Sequence, residues 1–353
     1  MTSLHDTAVR GFASDNYSGV HPRILEAIAR ANGGHQISYG EDQYTEQLGT
    51  VAHEIFGEQA TIFPVFNGTG ANVTALQSLL PRWGAVICAT SAHINVDENG
   101  APERVGGFKL LQVQTPDGKL TPELIDQEAW GYGDEHRAQP LAVSITQATE
   151  LGTLYTPEEI KAITEHAQKL GMKVHLDGSR LSNAAAALNV PLRALTTDVG
   201  VDIVSLGGTK NGILLGEGIL VLRKELADDM KYLRKMNMQL GSKMRFISAQ
   251  LIELYGTELW KELAGHANAM AAQLAQAVEQ IAGVELVYPT QANGVFAKLP
   301  TEVSDELRKH FRFYDWDRAA GEVRWMCSFD TTEEDVAAFI SKLRELMGSY
   351  VPA

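Results

Sequence analysis

Short runs of apolar residues alternate with segments of helical periodicity along most of the chain. Near-continuous apolar runs are typical of strands buried on both faces of a sheet. We predict six such strands, at residues 85–89, 109–113, 141–146, 174–176, 202–206 and 218–222. Helices are predicted between them, one over residues 71–80 and one that begins at the capping box of Thr156 and Glu159 and ends near Leu170. This alternation predicts an α/β fold with a mainly parallel sheet and helices on both of its faces.

The pattern changes after about residue 246. A long alanine-rich helix is predicted over residues 258–281, and a last helix over residues 331–347. Between them lie three strand-like pieces, at residues 284–288, 294–299 and 323–328. We therefore predict a large domain over residues 1–250 and a smaller α+β domain over residues 251–353.

Composition and charge exclude several classes of protein. The 353 residues include 30 Lys and Arg and 44 Asp and Glu, for a net charge of −14, which argues against a nucleic-acid-binding surface. The N-terminus has no apolar core of a signal peptide, and no run of about 18 apolar residues occurs, so we expect no membrane span and a cytoplasmic location. Two distant cysteines and scattered histidines predict neither a disulfide scaffold nor a metal site.

Three segments stand where ligands bind in such a sheet, just beyond the carboxyl ends of the strands. Asp177 follows a buried strand, Lys210 follows another and is flanked by small residues, and a glycine-rich turn at residues 66–72 opens a helix. Each has an ordinary alternative: a helix cap for Asp177, a solvated loop side chain for Lys210, and a plain tight turn for residues 66–72. The chemistry of one segment alone does not decide between these interpretations.

Together, the three segments fit one ligand, a phosphorylated pyridine aldehyde. The free N–H groups of a helix start favour a phosphate. A buried carboxylate needs a partner, and a protonated pyridine nitrogen would be one for Asp177. An amine such as that of Lys210 condenses with an aldehyde where small neighbours allow close approach.

Seven short motifs also resemble, in order, those of the low-specificity L-threonine aldolases, a family within the aspartate-aminotransferase-like enzymes that use pyridoxal 5'-phosphate (PLP). These motifs are FASDNYSG at 12–19, YGED at 39–42, FNGT at 66–69, AHI at 92–94, HLDGSR at 175–180, GTKNG at 208–212 and MR at 244–245. The segments TQATE at 146–150 and GGTKNG at 207–212 are most similar to the bacterial branch that includes phenylserine aldolases. The resemblance implies a PLP-dependent-transferase fold of the aspartate aminotransferase type.

The resemblance also implies roles for the residues that match the cofactor-binding motifs. Lys210 matches the lysine that carries PLP, and Asp177 the partner of its pyridinium nitrogen. Gly68 and Thr69 match the phosphate-binding turn, and His93 matches a histidine that stacks on the ring and acts in proton transfer.

Other matched residues imply substrate binding and assembly. Ser14, Arg180 and Arg324 match groups that hold the substrate carboxylate, with Arg180 also near the cofactor. Arg234 and Arg245 match basic residues near a subunit interface. A homo-oligomer, dimer or homotetramer, with its active site at that interface is therefore expected.

The implied activity is retro-aldol cleavage of L-threonine, allo-threonine and related β-hydroxy-α-amino acids, such as phenylserine, to glycine and an aldehyde. Many members of the family have a histidine where this chain has Ala148, so the base that takes the β-hydroxyl proton stays open, with His21, His35 and His136 as further candidates. Another PLP-dependent β-eliminating lyase or a transaminase is the main alternative. A non-catalytic protein that retains the fold is a more distant one.

Overall fold

A computed structural model describes residues 3–351 and contains two β-sheets. The strands of the larger sheet are β1 (Thr61–Val65), β2 (Gly84–Ala89), β3 (Lys109–Val113), β4 (Gln139–Thr146), β5 (Lys173–Gly178), β6 (Ile203–Leu206) and β7 (Glu217–Val221). Their spatial order is β1-β7-β6-β5-β4-β2-β3. All neighbours from β6 to β3 pair in parallel, whereas β7 is antiparallel to both β6 and β1. The predicted mainly parallel sheet is therefore confirmed.

The smaller sheet lies entirely in the last quarter of the chain. Its strands are β8 (Glu285–Leu286), β9 (Gly294–Lys298), β10 (Tyr314–Asp317) and β11 (Glu322–Met326). Their order is β10-β11-β9-β8, and every pair is antiparallel. One face carries Val323 and Trp325, which are buried in a second hydrophobic core.

Within residues 3–351, twelve α-helices cover the two sheets. They are α1 (Pro22–Ala31), α2 (Gln43–Phe56), α3 (Gly68–Leu79), α4 (His93–Val96), α5 (Pro122–Ile125), α6 (Pro157–Lys169), α7 (Leu181–Leu188), α8 (Ala227–Met236), α9 (Arg245–Tyr255), α10 (Leu259–Val278), α11 (Thr301–Arg308) and α12 (Glu333–Ser349). The predicted capping box is present at the start of α6, and Gly171 follows this helix with the left-handed φ of 76° that favours glycine. Helix α3 begins three residues before its predicted start, because Asn67 caps it.

Helix α10 joins the two hydrophobic cores. Its first residues, among them Leu259 and Leu263, pack in the core of the large sheet, whereas Leu274 and Val278 pack in the core of the small one. The division after residue 250 stays a prediction. Within residues 3–351, no helix has the length and apolar character needed to cross a membrane.

Candidate active site

The carboxyl ends of β5 and β6 present the two residues with the most distinctive chemistry. Asp177 is the second-last residue of β5, opposite Ser205 of β6. The chain leaves β6 through Gly207 and Gly208 and forms a single 3₁₀ turn that contains Lys210. Because parallel strands end at the same edge of a sheet, the two side chains reach one site.

Asp177 and Lys210 are close enough that the charge of each acts on the pKa of the other. Burial would raise the pKa of Asp177, but the charges of Lys210 and His93 hold it below its usual value. Burial, followed by the charge of Arg180, lowers the pKa of Lys210. A lysine with a lowered pKa is closer to the neutral amine that attacks an aldehyde.

His93, the first residue of α4, is tied to Asp177 through two side chains. Its ring Nδ1 lies 2.8 Å from Oε1 of Glu98, and this hydrogen bond raises the pKa of His93 despite partial burial. The Nδ2 of Asn72 donates to the same Glu98 oxygen at 2.8 Å and to Oδ2 of Asp177 at 2.9 Å. The three polar side chains beside His93 therefore form one network, which we name the Asn72 bridge after its central amide.

A second buried carboxylate, Asp15, orders the N-terminal segment at the site. Arg180 donates to it from Nε at 2.7 Å and from Nη2 at 2.9 Å. Asn293, just before β9, donates to the same carboxylate at 3.0 Å. Asp15 thus links the N-terminal segment to both sheets. The guanidinium of Arg180 is largely engaged by this pair, and its Nη1 makes no hydrogen bond within residues 3–351.

Arg324 of β11 faces the N-terminal segment. Its Nη2 donates to the carbonyl of Ala13 at 3.2 Å, next to Ser14, and its buried Nε has no partner within residues 3–351. The guanidinium lies 5.8 Å from the ring centre of Tyr314 and 5.5 Å from that of Trp316. An unsatisfied guanidinium nitrogen beside a serine can receive a carboxylate.

Gly68 and Thr69 are the first two residues of α3. The side chain of Asn67 caps the helix by accepting from the N–H of Gly70 at 2.7 Å. The N–H groups of Gly68 and Thr69 have no hydrogen-bond partner within residues 3–351, and free N–H groups in the first turn of a helix can bind an anion. One turn later the same helix presents Asn72 to Asp177, so α3 joins the anion site to the aspartate.

These groups fit the predicted cofactor. A buried aspartate would pair with a pyridinium nitrogen, a lysine with a lowered pKa would bond to the aldehyde carbon, and a helix N-terminus would hold the phosphate. Among the described residues, no three His, Cys, Asp or Glu side chains are arranged to hold a metal ion.

The other histidines named from the sequence lie elsewhere. His21 caps α1 and packs edge-on against Phe329, and burial lowers its pKa. His35 and His136 are exposed. Ala148 is buried.

Sequence reasoning missed Asn72, Glu98 and Asp15. The buried carboxamide of Asn72 lies in a helix otherwise identified by its apolar spacing, and its polar place on that apolar face was the available signal. Asn72 and Asp15 have partners that are far away in sequence, whereas Glu98 also bonds to the nearby His93.

Comparisons with known proteins agree with this geometry. A family model described as "Beta-eliminating lyase" matches residues 11–301. Low-specificity L-threonine aldolases from a Pseudomonas species and from Pseudomonas aeruginosa are each 43% identical over 96% of this chain and 98% of their own. A solved threonine aldolase structure from Leishmania major has a TM-score of 0.89 and 29% identity, over 95% of this chain and 99% of that one. The chain therefore belongs to the beta-eliminating lyase family and, within it, to the low-specificity L-threonine aldolases that its motifs resemble.

Proposed function

We propose that this chain cleaves L-threonine, allo-threonine and related β-hydroxy-α-amino acids to glycine and an aldehyde, with PLP carried by Lys210. The observation that carries the proposal is the meeting of Lys210, Asp177 and His93 at one edge of the sheet in a member of this family. PLP, when bound, supplies an electron sink for the pair released from the Cα–Cβ bond. Asp177 keeps the ring nitrogen protonated, and Gly68 and Thr69 hold the phosphate.

The substrate is oriented by its carboxylate. Arg324 offers a permanently charged fork with a free Nε, and Ser14 lies beside the carbonyl that Arg324 contacts. Arg180, held by Asp15, supports the same end of the site with its remaining nitrogen. A fixed carboxylate sets the direction of the Cα–Cβ bond, which must stand perpendicular to the ring to break.

Proton transfer falls to His93 in this proposal. Its Nδ1 is engaged by Glu98, which leaves Nε2 as the ring nitrogen for the substrate. The β-hydroxyl proton leaves as the Cα–Cβ bond breaks and the aldehyde departs, and Cα then takes up a proton to give glycine. A hydrogen-bonded path through Glu98 and Asn72 links His93 to Asp177, which supports this role.

We also propose a homo-oligomer, dimer or tetramer, in which basic residues complete a neighbour's site. Arg234 of α8 is buried beside the carbonyl of Pro64, its Nε has no partner within residues 3–351, and burial lowers its pKa to about 10. The Nε of Arg245 is buried and unsatisfied as well. Exposed Tyr39, Met236 and Met238 support an interface. A cytoplasmic location remains a prediction.

A product assay tests the proposed activity. Holoprotein given L-threonine should release glycine and acetaldehyde in equal amounts. Release of a 2-oxo acid and ammonia instead would identify a β-eliminating lyase, and transfer of the amino group to an added 2-oxo acid would identify a transaminase. Lack of any product from threonine, phenylserine or serine would favour a non-catalytic protein.

A further inference from the structure

Buried side chains hold both polar ends of the peptide group between Gly207 and Gly208. Its N–H donates to Oε2 of Glu217 at 2.5 Å, and its C=O accepts from the hydroxyl of Tyr255. Glu217 begins β7 and Tyr255 ends α9, so two separate elements hold one peptide. The proposed reaction uses neither side chain, yet Lys210 is only two residues further along the chain.

The two glycines leave this peptide no room to shift. A Cβ at Gly207 would overlap the backbone of Ser179, which follows the strand that carries Asp177. A Cβ at Gly208 would overlap Ile213 and the carbonyl of Gly216. Because the peptide packs directly on the neighbouring strand end, its position fixes Lys210 relative to Asp177.

Glu217 is almost fully buried, and a buried carboxylate is costly unless it is paired. Its hydrogen-bond donor is the N–H of Gly208, and the polar groups of Thr209 and the charge of Lys210 favour its ionised form. The titratable groups that face it are Lys210 from the turn and Tyr255 from α9. Its cross-strand neighbour on β1 is the apolar Val65. Everything that stabilises this carboxylate therefore belongs to the segment that carries the lysine.

We propose that Glu217 is a positioning residue for Lys210. With Tyr255, its ionised carboxylate holds the 207–210 turn in the geometry that receives PLP. The same negative charge favours the ammonium form of the lysine until the cofactor binds. This inference rests on the proposed function, in which Lys210 carries PLP.

The hold of Glu217 on the 207–210 turn depends on pH, whereas that of Tyr255 does not. Burial raises the pKa of Glu217 to about 7, although its hydrogen bonds and Lys210 act in the opposite direction. Its carboxylate is therefore ionised above this pH and accepts fully, and it becomes protonated as the pH falls through this value. Burial raises the pKa of Tyr255 far above neutrality, so its hydroxyl keeps its proton throughout.

The first experiment follows the amide of Gly208 by NMR in full-length protein labelled with ¹⁵N-glycine and free of PLP. We expect its chemical shift to titrate with a midpoint near pH 7 and this step to be absent in Glu217→Gln. Asp202→Asn is the matched control, because Asp202 is a buried carboxylate bonded to Val174 and Arg223 at the opposite end of the sheet. The Gly208 amide should still titrate near pH 7 in the Asp202→Asn control. A step that survives in Glu217→Gln would overturn the proposal.

The second experiment measures equilibrium binding of PLP. Glu217→Gln should weaken binding about tenfold at about pH 8 and less at about pH 6, where the natural side chain is also neutral. Tyr255→Phe should weaken it by a similar factor at both values, and it tests the same turn if Glu217→Gln fails to fold. Unchanged binding in both variants, or an equal loss in Asp202→Asn, would contradict a positioning role. Failure of Lys210 to carry PLP would refute the proposed function but leave the Gly208 titration intact.

Discussion

At the scale of single residues, the buried Asp177 and the half-buried Lys210 carry opposite charges that stabilise each other. Asp177→Asn removes the charge that keeps a bound pyridine nitrogen protonated. We expect this variant to retain PLP, visible by its absorbance, and to lose turnover by on the order of a hundredfold or more. Near-normal turnover would mean that Asp177 only caps the segment that follows it.

The protonation of His93 depends on Glu98. Because the hydrogen bond to Glu98 raises the pKa of His93 while burial lowers it, Glu98→Gln should lower that pKa, and the imidazolium should lose its proton at a lower pH. An NMR titration of the His93 ring measures this. Glu150→Gln is the control, since Glu150 accepts from the backbone N–H of His93 and not from its ring. If the pKa of His93 were unchanged in Glu98→Gln, the Asn72 bridge could not be the cause of its raised pKa.

The sequence alone predicted a functional role for some of these residues and not for others. Asp177 was predicted because a carboxylate directly after a buried strand is costly without a partner, and Lys210 because small flanking residues allow an aldehyde to approach its amine. Asp15 was not predictable, because its partners Arg180 and Asn293 come from distant parts of the chain. Only the folded chain shows that these charges meet.

At the scale of secondary structure, the active site depends on how closely β5 and β6 approach where they end. Gly207→Ala would place a methyl group against the Ser179 backbone, which cannot move aside as a side chain can. We expect a loss of about 1–3 kcal/mol in the free energy of unfolding, together with weaker PLP binding. Denaturant titration and PLP binding measure these effects.

The control for this substitution is Gly265→Ala in α10, where nothing lies within 4 Å of the added Cβ. It should be neutral or stabilise the protein by up to about 1 kcal/mol, because alanine favours a helix. Equal changes in the free energy of unfolding for Gly207→Ala and Gly265→Ala would show that the close approach of β5 and β6 is unimportant.

The strands missed from the sequence are those whose residues contradict the pattern of a buried strand. Strand β1 contains Pro64 and lies at the edge of the large sheet, where a missing N–H is tolerated. Strand β10 is a polar edge strand of the small sheet, so its residues lack an apolar run. The six strands predicted in the large sheet are apolar and mostly interior, and all six are present.

At the scale of the whole molecule, the fold class, the PLP cofactor and the lyase class predicted from the sequence are confirmed by the family. Assembly remains to be measured. A buried arginine without an acidic partner needs an anion, so Arg234→Ala should reduce both PLP retention and oligomer size. Light scattering and PLP content measure the two effects.

The control for assembly is Lys231→Ala, on the exposed face of the same helix, which should change neither property. A fully active monomer of the natural protein at assay concentration would contradict a shared site. The basic residues of α8 would then be ordinary surface and packing groups.

The proposed function depends on the attachment of PLP to Lys210. Borohydride reduction of the holoprotein followed by mass spectrometry of its peptides tests it most directly. We predict that the pyridoxyl group is found on Lys210 and that Lys210→Ala carries none, while Lys173→Ala, on the same sheet but at the start of β5, is labelled as in the natural protein. A reduced adduct on another lysine, or an unchanged adduct in Lys210→Ala, would contradict it.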